Sequence, residues 1–209
     1  MISLPDLSDQ HFEQIQIGKL ALQSYGGAHS IAGEIYTVSC SDDNSVVKDI
    51  LSREGKNKVL VIDAAGVIHA SMIGDQIAES AVKNNWAGIV VNGYVRDVDE
   101  LKNLPIGIYA KGAVAQKTNK KNHGFENILI SFGSVVMTSG KWIYIDQNGW
   151  LVATMGGAEI FETHRGCSGA PDGPPPAQSQ AARARQQPSA PPQAAGGFRS
   201  NCQQSSPTP

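Results

Sequence analysis

From Ile31 onward the chain alternates between two kinds of hydrophobic pattern. Ile31 to Cys40 reads as a strand, and Ser41 or Asp42 then offers an N-cap for a helix whose apolar face is Val46, Val47, Ile50 and Leu51. After a turn at Gly55, Lys58 to Asp63 is a nearly unbroken apolar run, the pattern of a strand buried on both faces. Gly74 to Asn85 places Ile77, Ala78, Ala81 and Val82 at helical spacing, and Ala87 to Asn92 is a second buried strand. A short helix over Val98 to Leu104, stopped by Pro105, leads to a strand at Ile106 to Ala110.

The rest of the patterned region reads as β. Ile128 to Ser131 and Val135 to Thr138 are short strands, and Trp142 to Ile145 faces Trp150 to Ala153 across the turn Asp146-Gln147-Asn148-Gly149. Strands alternating with helices and ending in a hairpin predict an α/β domain with a mixed sheet. No internal repeat is present.

Composition divides the chain near His164. Arg165 to Pro209 contains no Leu, Ile, Val, Met, Lys or Tyr but 9 of the 11 prolines. Such a segment cannot bury enough apolar area to offset its ordering entropy, so residues 165–209 are expected to be a disordered tail behind a domain at 1–164. Its proline runs suit either an inert extension or a ligand for an SH3-type partner. The tail carries +3 of a net charge of −2, which leaves the body at −5 and argues against nucleic acid as its ligand. No apolar run is long enough to cross a bilayer, and the first residues lack a signal-peptide pattern, so no membrane contact and a cytoplasmic location are expected. Cys40, Cys167 and Cys202 are too scattered for a disulfide framework.

Several catalytic templates are absent: there is no GxSxG, GxxxxGK[ST] or HExxH, and the five histidines show no ligand spacing. The informative stretch is Ile73 to Glu100. Gly74-Asp75 opens a helix, so the amides of Gly74, Asp75, Gln76 and Ile77 form a candidate anion cradle. Arg96-Asp97 follows the next strand, where ligands of open α/β sheets bind. Arg96 offers a planar fork to a carboxylate, Asp97 offers hard oxygen to Mg²⁺, and Glu100 shares a helical face with Asp97 and could hold a metal-bound water. The same residues also suit a salt bridge and a solvated helix turn.

Asp75, twenty intervening residues, Arg96-Asp97, two more and Glu100 form the pattern D-x20-R-D-x2-E/D. In this motif the chain resembles the class II 4-hydroxy-4-methyl-2-oxoglutarate aldolases, which are themselves similar to RraA, the regulator of ribonuclease E activity. Tyr25-Gly26-Gly27, Cys40-Ser41-Asp42-Asp43-Asn44 and Trp86-Ala87-Gly88 add to the likeness, which runs from about Leu4 to Thr154. The resemblance implies a swivelling β/β/α-type domain assembled as a homotrimer, with a divalent cation (Mg²⁺ or Mn²⁺) and a small 2-oxo acid as substrate. Gly74 to Ile77 and Arg96 would bind that acid, Asp97 would ligate the metal directly, Glu100 would do so through water, and Asp75 would act with Arg96 in catalysis. Cleaving a C–C bond beside a 2-oxo acid leaves a pyruvate enolate that a divalent ion stabilises, so oxaloacetate decarboxylation should accompany aldolase activity. A non-catalytic regulator that binds ribonuclease E is the competing reading. Ala64-Ala65-Gly66 and Lys141 depart from the family's usual residues, and the lysines from Lys111 to Lys121 read as a solvated loop or an anion gate.

Overall fold

The computed structural model describes residues 3–154; the expected tail at 165–209, with His164, Cys167 and Cys202, lies outside them. In chain order the elements are α1 (Leu4–Gln10), β1 (Ile15–Ile17), β2 (Gln23–Ser24), β3 (Ile31–Ser39), α2 (Ser45–Leu51) and β4 (Lys58–Asp63). They continue with β5 (Ser71–Ile73), α3 (Asp75–Lys83), β6 (Gly88–Val95), α4 (Val98–Leu101) and β7 (Gly107–Ala113). Short β strands close the chain: β8 (Phe125–Glu126), β9 (Ile130–Phe132), β10 (Val135–Met137), β11 (Trp142–Asp146) and β12 (Gly149–Ala153).

The main sheet runs β1-β12-β11-β3-β4-β6-β7-β2, with β5 beside β6 and β8 beside β3. Its centre, β3-β4-β6-β7, is parallel, while β11, β12 and β1 continue it antiparallel. This is the mixed sheet expected from the pattern. Alternate residues of the central strands feed different cores. Leu60, Ile62, Ile89, Val91 and Ile108 meet the helices. Val59, Val61, Val90 and Tyr109 instead pack with Ile130, Phe132, Val135 and Met137 of the β9-β10 hairpin. Burial on both faces is why β4 reads as an unbroken apolar run, and it makes the domain a β/β/α sandwich.

Several boundaries differ from the pattern. The N-cap of α2 is Asn44 rather than Ser41 or Asp42. Asp42 turns left-handed at φ 53°, and the next carboxylate, Asp43, accepts from Ser45 N at 2.9 Å. Strand β6 continues past Asn92 to Val95, and α4 stops at Leu101. Helix α1 is marked by its Ser3 cap and early proline, signals that the hydrophobic pattern does not register. Among the described residues no helix is long and apolar enough to cross a membrane.

The turn after β4 is held by Asp63, whose Oδ1 accepts from Ala65 N at 3.0 Å and from Asn92 Nδ2 at 2.8 Å. Ala65 sits at φ 50°, a left-handed conformation that opposes its Cβ. Ala65→Gly is therefore expected to stabilise the domain by about 1 kcal/mol. Thermal melting should rise by roughly 2 to 4 °C; an unchanged melting temperature would show that the turn carries no strain.

Candidate active site

Three residues of sheet bring the two halves of the motif together. Strand β5 lies parallel to β6 with Ile73 opposite Val95, and Arg96 N donates to Ile73 O at 2.9 Å. Both strands therefore end side by side, so Gly74 after β5 and Arg96-Asp97 after β6 emerge at one edge. The twenty residues between Asp75 and Arg96 are accounted for by α3 and β6, one parallel crossover. This is the carboxyl edge of the parallel strands, where open α/β sheets bind ligands.

Asp97 is the hinge of the arrangement. It stands at φ 56°, a left-handed conformation that Asp tolerates and that clusters at functional sites. Although Asp97 and Glu100 have the spacing of a capping box, the Asp97 side chain makes no cap to its own helix. Its Oδ2 turns instead to the neighbouring helix, accepting from Asp75 N at 3.3 Å and pairing with Arg96 Nε at 3.0 Å. The salt bridge thus exists, but it spends only one nitrogen of Arg96 and one oxygen of Asp97. Among the described residues neither Nη of Arg96 has a partner, and Asp97 Oδ1 has none.

The four amides of the expected cradle are not equivalent. Asp75 N is taken by Asp97, and Gln76 N donates to Asp75 Oδ1 at 2.7 Å. Gly74 N and Ile77 N have no partner among the described residues. The positive end of α3 is thus partly neutralised by two carboxylates, with two donors left for an incoming anion. Gly74 has ordinary extended angles (φ −131°), so its lack of a side chain concerns space: a Cβ there would fall 2.6 Å from Asp97 Oδ2.

A cavity of about 540 Å³ opens over this edge, lined by Gly74 to Ile77 and Arg96 on one hand and by Lys117, Thr118, Asn119 and Lys120 on the other. Asn44, Lys48 and Ser71 complete it, so four cationic side chains face one carboxylate, Asp75. In a body of net negative charge, such a concentration attracts anions. The expected lysine loop is therefore part of the cleft, with Lys117 and Lys120 exposed within it. Glu100 lies exposed on α4, and neither it nor Asp97 is among the residues that line the cavity; Asp97 stands behind Arg96 and Gly74, which do.

The loop is fixed at both ends. Ser71 N donates to Gln116 O at 2.8 Å, and Ser71 bridges to Lys117. Farther on, the fully buried Asp43 accepts from Lys121 N at 2.9 Å and His123 N at 2.7 Å. Burial alone would push the Asp43 carboxyl up, but the amides of His123, Ser45 and Lys121 overcome it and hold it down at about 2. Because the folded value lies below the ordinary 3.8, this contribution is complete above about pH 4 and is lost as pH falls toward 2. Asp43→Asn is expected to lower stability at pH 7 by about 2 kcal/mol and to flatten the acid limb of a pH–stability curve. An acid limb identical to that of the wild type would show that the loop is held elsewhere. Cys40, next to this segment, is buried, and burial followed by the charges of Asp43 and Asp63 pushes its thiol up to about 12. It is a packing residue, as its apolar strand suggests.

The family model described as RraA-like, Aldolase/RraA, matches residues 4–152. The chain belongs to this RraA-like family. A relative from Shewanella oneidensis, provisionally named 4-hydroxy-4-methyl-2-oxoglutarate aldolase, is 41% identical over 150 residues, 72% of this chain and 92% of its own length. One of the same name from Alcanivorax borkumensis is 44% identical over 149 residues, 71% and 93% of the two chains. Two solved structures share the fold. One from Geobacillus kaustophilus, described as an S-adenosylmethionine: 2-dimethylmenaquinone methyltransferase, has a TM-score of 0.74 and 32% identity over 76% of this chain and 98% of its own. The RNA-processing inhibitor RraA from a Thermus species has a TM-score of 0.71 and 31% identity over 73% and 93%.

These names attach different activities to one RraA-like fold, so function is decided by the side chains of the site. Among the described residues no three His, Cys, Asp or Glu side chains form a metal-holding group. A Mg²⁺-type ion asks for less, since it keeps several waters and takes one or two carboxylates from the protein with the rest from substrate. The hard oxygens of this RraA-like edge, Asp97 with one oxygen unpaired beside a residue whose Cβ would fill the space, fit such an ion.

Proposed function

We propose that this RraA-like chain is a class II aldolase that cleaves 4-hydroxy-4-methyl-2-oxoglutarate-type 2-oxo acids to pyruvate and decarboxylates oxaloacetate as a side reaction. The observation that supports this most is the juxtaposition, at one sheet edge, of Asp97 with Arg96 and the start of α3, where both terminal nitrogens of Arg96 and the amides of Gly74 and Ile77 are unpaired among the described residues and Arg96, Gly74 and Ile77 line the cleft. In this reading the Arg96 fork and the amides of Gly74 and Ile77 orient the 2-oxo acid end of the substrate. Asp97 would hold Mg²⁺ or Mn²⁺ directly, and Glu100, exposed on α4, would do so through water. When bound, the cation supplies Lewis-acid stabilisation for the charge that develops beside the keto group.

Retro-aldol cleavage of the C3–C4 bond takes a proton from the C4 hydroxyl and returns one to C3, giving two molecules of pyruvate from 4-hydroxy-4-methyl-2-oxoglutarate. Asp75, at the cleft with Oδ1 engaged by Gln76 N, keeps Oδ2 to order a water that carries this proton. The domain at 1–164 is proposed to work as a cytoplasmic homotrimer. The exposed apolar side chains Phe125 and Leu129 support self-association. Sedimentation of the purified chain tests that assembly.

The test of activity is pyruvate release from oxaloacetate and from 4-hydroxy-4-methyl-2-oxoglutarate with Mg²⁺ or Mn²⁺, repeated with EDTA. Turnover that EDTA abolishes is expected; no turnover of either substrate by folded protein would overturn the reading. The second reading, regulation of ribonuclease E, draws on the 31% identity to the Thermus RNA-processing inhibitor. Capture of purified ribonuclease E by the chain is its test.

A further inference from the structure

The site as described uses one end of the cavity. On the proposed reading Arg96 and the α3 amides hold pyruvate, and the cavity of about 540 Å³ offers far more room than that acid fills. The rest of its lining is not neutral. Lys117 and Lys120 come from the loop and Lys48 from α2, and among the described residues none of these ammonium groups has an ion-pair partner. Between the two loop lysines stands Thr118, which is only 5% exposed and whose Oγ1 has no hydrogen-bond partner. An unpaired hydroxyl at such a depth costs free energy unless something entering the cleft completes it.

This wall is also built to stay in place. Ser71, which bridges to Lys117, belongs to β5, the strand that ends at Gly74, so Lys117 and the α3 amides share one support. Asp43 fixes the far end through Lys121 N and His123 N. A solvated loop needs neither restraint. We propose that Lys117, Thr118 and Lys120, with Lys48 beside them, form a second anion subsite that takes the distal carboxylate of a 2-oxo dicarboxylate. The proposal rests on the reading that Arg96 binds the 2-oxo acid end, and it makes the lysine loop the determinant of preference for diacids over monoacids. Asp43 is a positioning residue in this scheme, acting through the loop.

Two acids that differ only in the distal group, 2-oxoglutarate and 2-oxopentanoate, isolate the subsite. Their dissociation constants, with that of pyruvate, are measured by calorimetry on the full chain with Mg²⁺ present. The wild type is expected to bind 2-oxoglutarate about tenfold more tightly than 2-oxopentanoate, the equivalent of one charge-assisted contact. In the double variant Lys117→Met, Lys120→Met that gap should close, with pyruvate binding unchanged. Both lysines are exposed, so the fold should tolerate the change. Thr118→Val should narrow the gap with the same indifference to pyruvate. Equal affinity of the wild type for the two longer acids, with pyruvate bound, would overturn the subsite alone. Equal weakening of pyruvate and 2-oxoglutarate in the double variant would also overturn it, because the lysines would then act as a general field. A wild type that binds none of the three acids would overturn the assignment of Arg96 and the subsite together.

Discussion

Replacing Asp97 with alanine is expected to lower metal-dependent pyruvate release from oxaloacetate by about 10³-fold, a loss of about 4 kcal/mol in transition-state stabilisation. The fold should survive, because Asp97 is partly exposed and packs against little, but it should not be untouched. Its Oδ2 satisfies Asp75 N and pairs with Arg96 Nε, and loss of a cap-like acceptor costs about 1 kcal/mol. Alanine at φ 56° adds a backbone penalty of similar size. Asp97→Asn separates these effects. Asparagine tolerates the left-handed conformation and can accept from Asp75 N, so stability should stay near that of the wild type. It brings no negative charge to a cation, so turnover should fall nearly as far as in the alanine variant. Full activity in Asp97→Asn, measured with saturating Mg²⁺, would mean that the residue serves only to cap α3.

What could be read from the chain, and what could not, follows from where each restraint lies. Strands β4 and β6 announce themselves because both faces are buried along Val59 to Ile62 and Ile89 to Val91, so those runs are unbroken apolar sequence. For the motif residues the local pattern, charged groups at a strand end before a helix start, suits a ligand site and a solvated salt bridge equally, and only the D-x20-R-D-x2-E/D resemblance favours the site. Strand β5 was not legible. It is three residues long, and what makes it a strand is its pairing with β6, a contact between segments some twenty residues apart. Without it the chain shows Gly74 and Arg96 as two separate helix starts rather than one edge. The lysine loop has the same difficulty, since the Ser71 to Lys117 bridge spans almost fifty residues and nothing local distinguishes a cleft wall from a solvated loop. Asp43 illustrates a third kind of gap. Within Ser41-Asp42-Asp43-Asn44-Ser45 each of the first four residues is a good N-cap, and only the fold selects Asn44 for that place while burying Asp43 as the anchor of a distant loop.

Gly74→Ala should cost about 10²-fold in turnover while leaving the melting temperature within a few degrees of the wild type. The backbone raises no objection, since φ −131° and ψ −176° suit alanine as well as glycine. The obstacle is the space. The new Cβ would lie 2.6 Å from Asp97 Oδ2, 3.1 Å from Arg96 Nε and 3.3 Å from Arg96 Cγ. A carboxylate oxygen cannot stay there, so Asp97 must swing away, giving up Asp75 N and Arg96 Nε together. Arg96, released from its partner, loses the orientation that presents its terminal nitrogens to a substrate carboxylate. Misplacement of about 1 Å at a reacting centre is enough for a loss of this size. Stability changes little because the two released groups are partly exposed and water replaces their contacts. Gly74→Ala should therefore fold, melt normally and still bind pyruvate weakly, yet turn over slowly at saturating metal. Unimpaired turnover in Gly74→Ala would mean that the Asp97 carboxylate can occupy another position without cost, and the close approach of Gly74 to Asp97 would then have no part in catalysis.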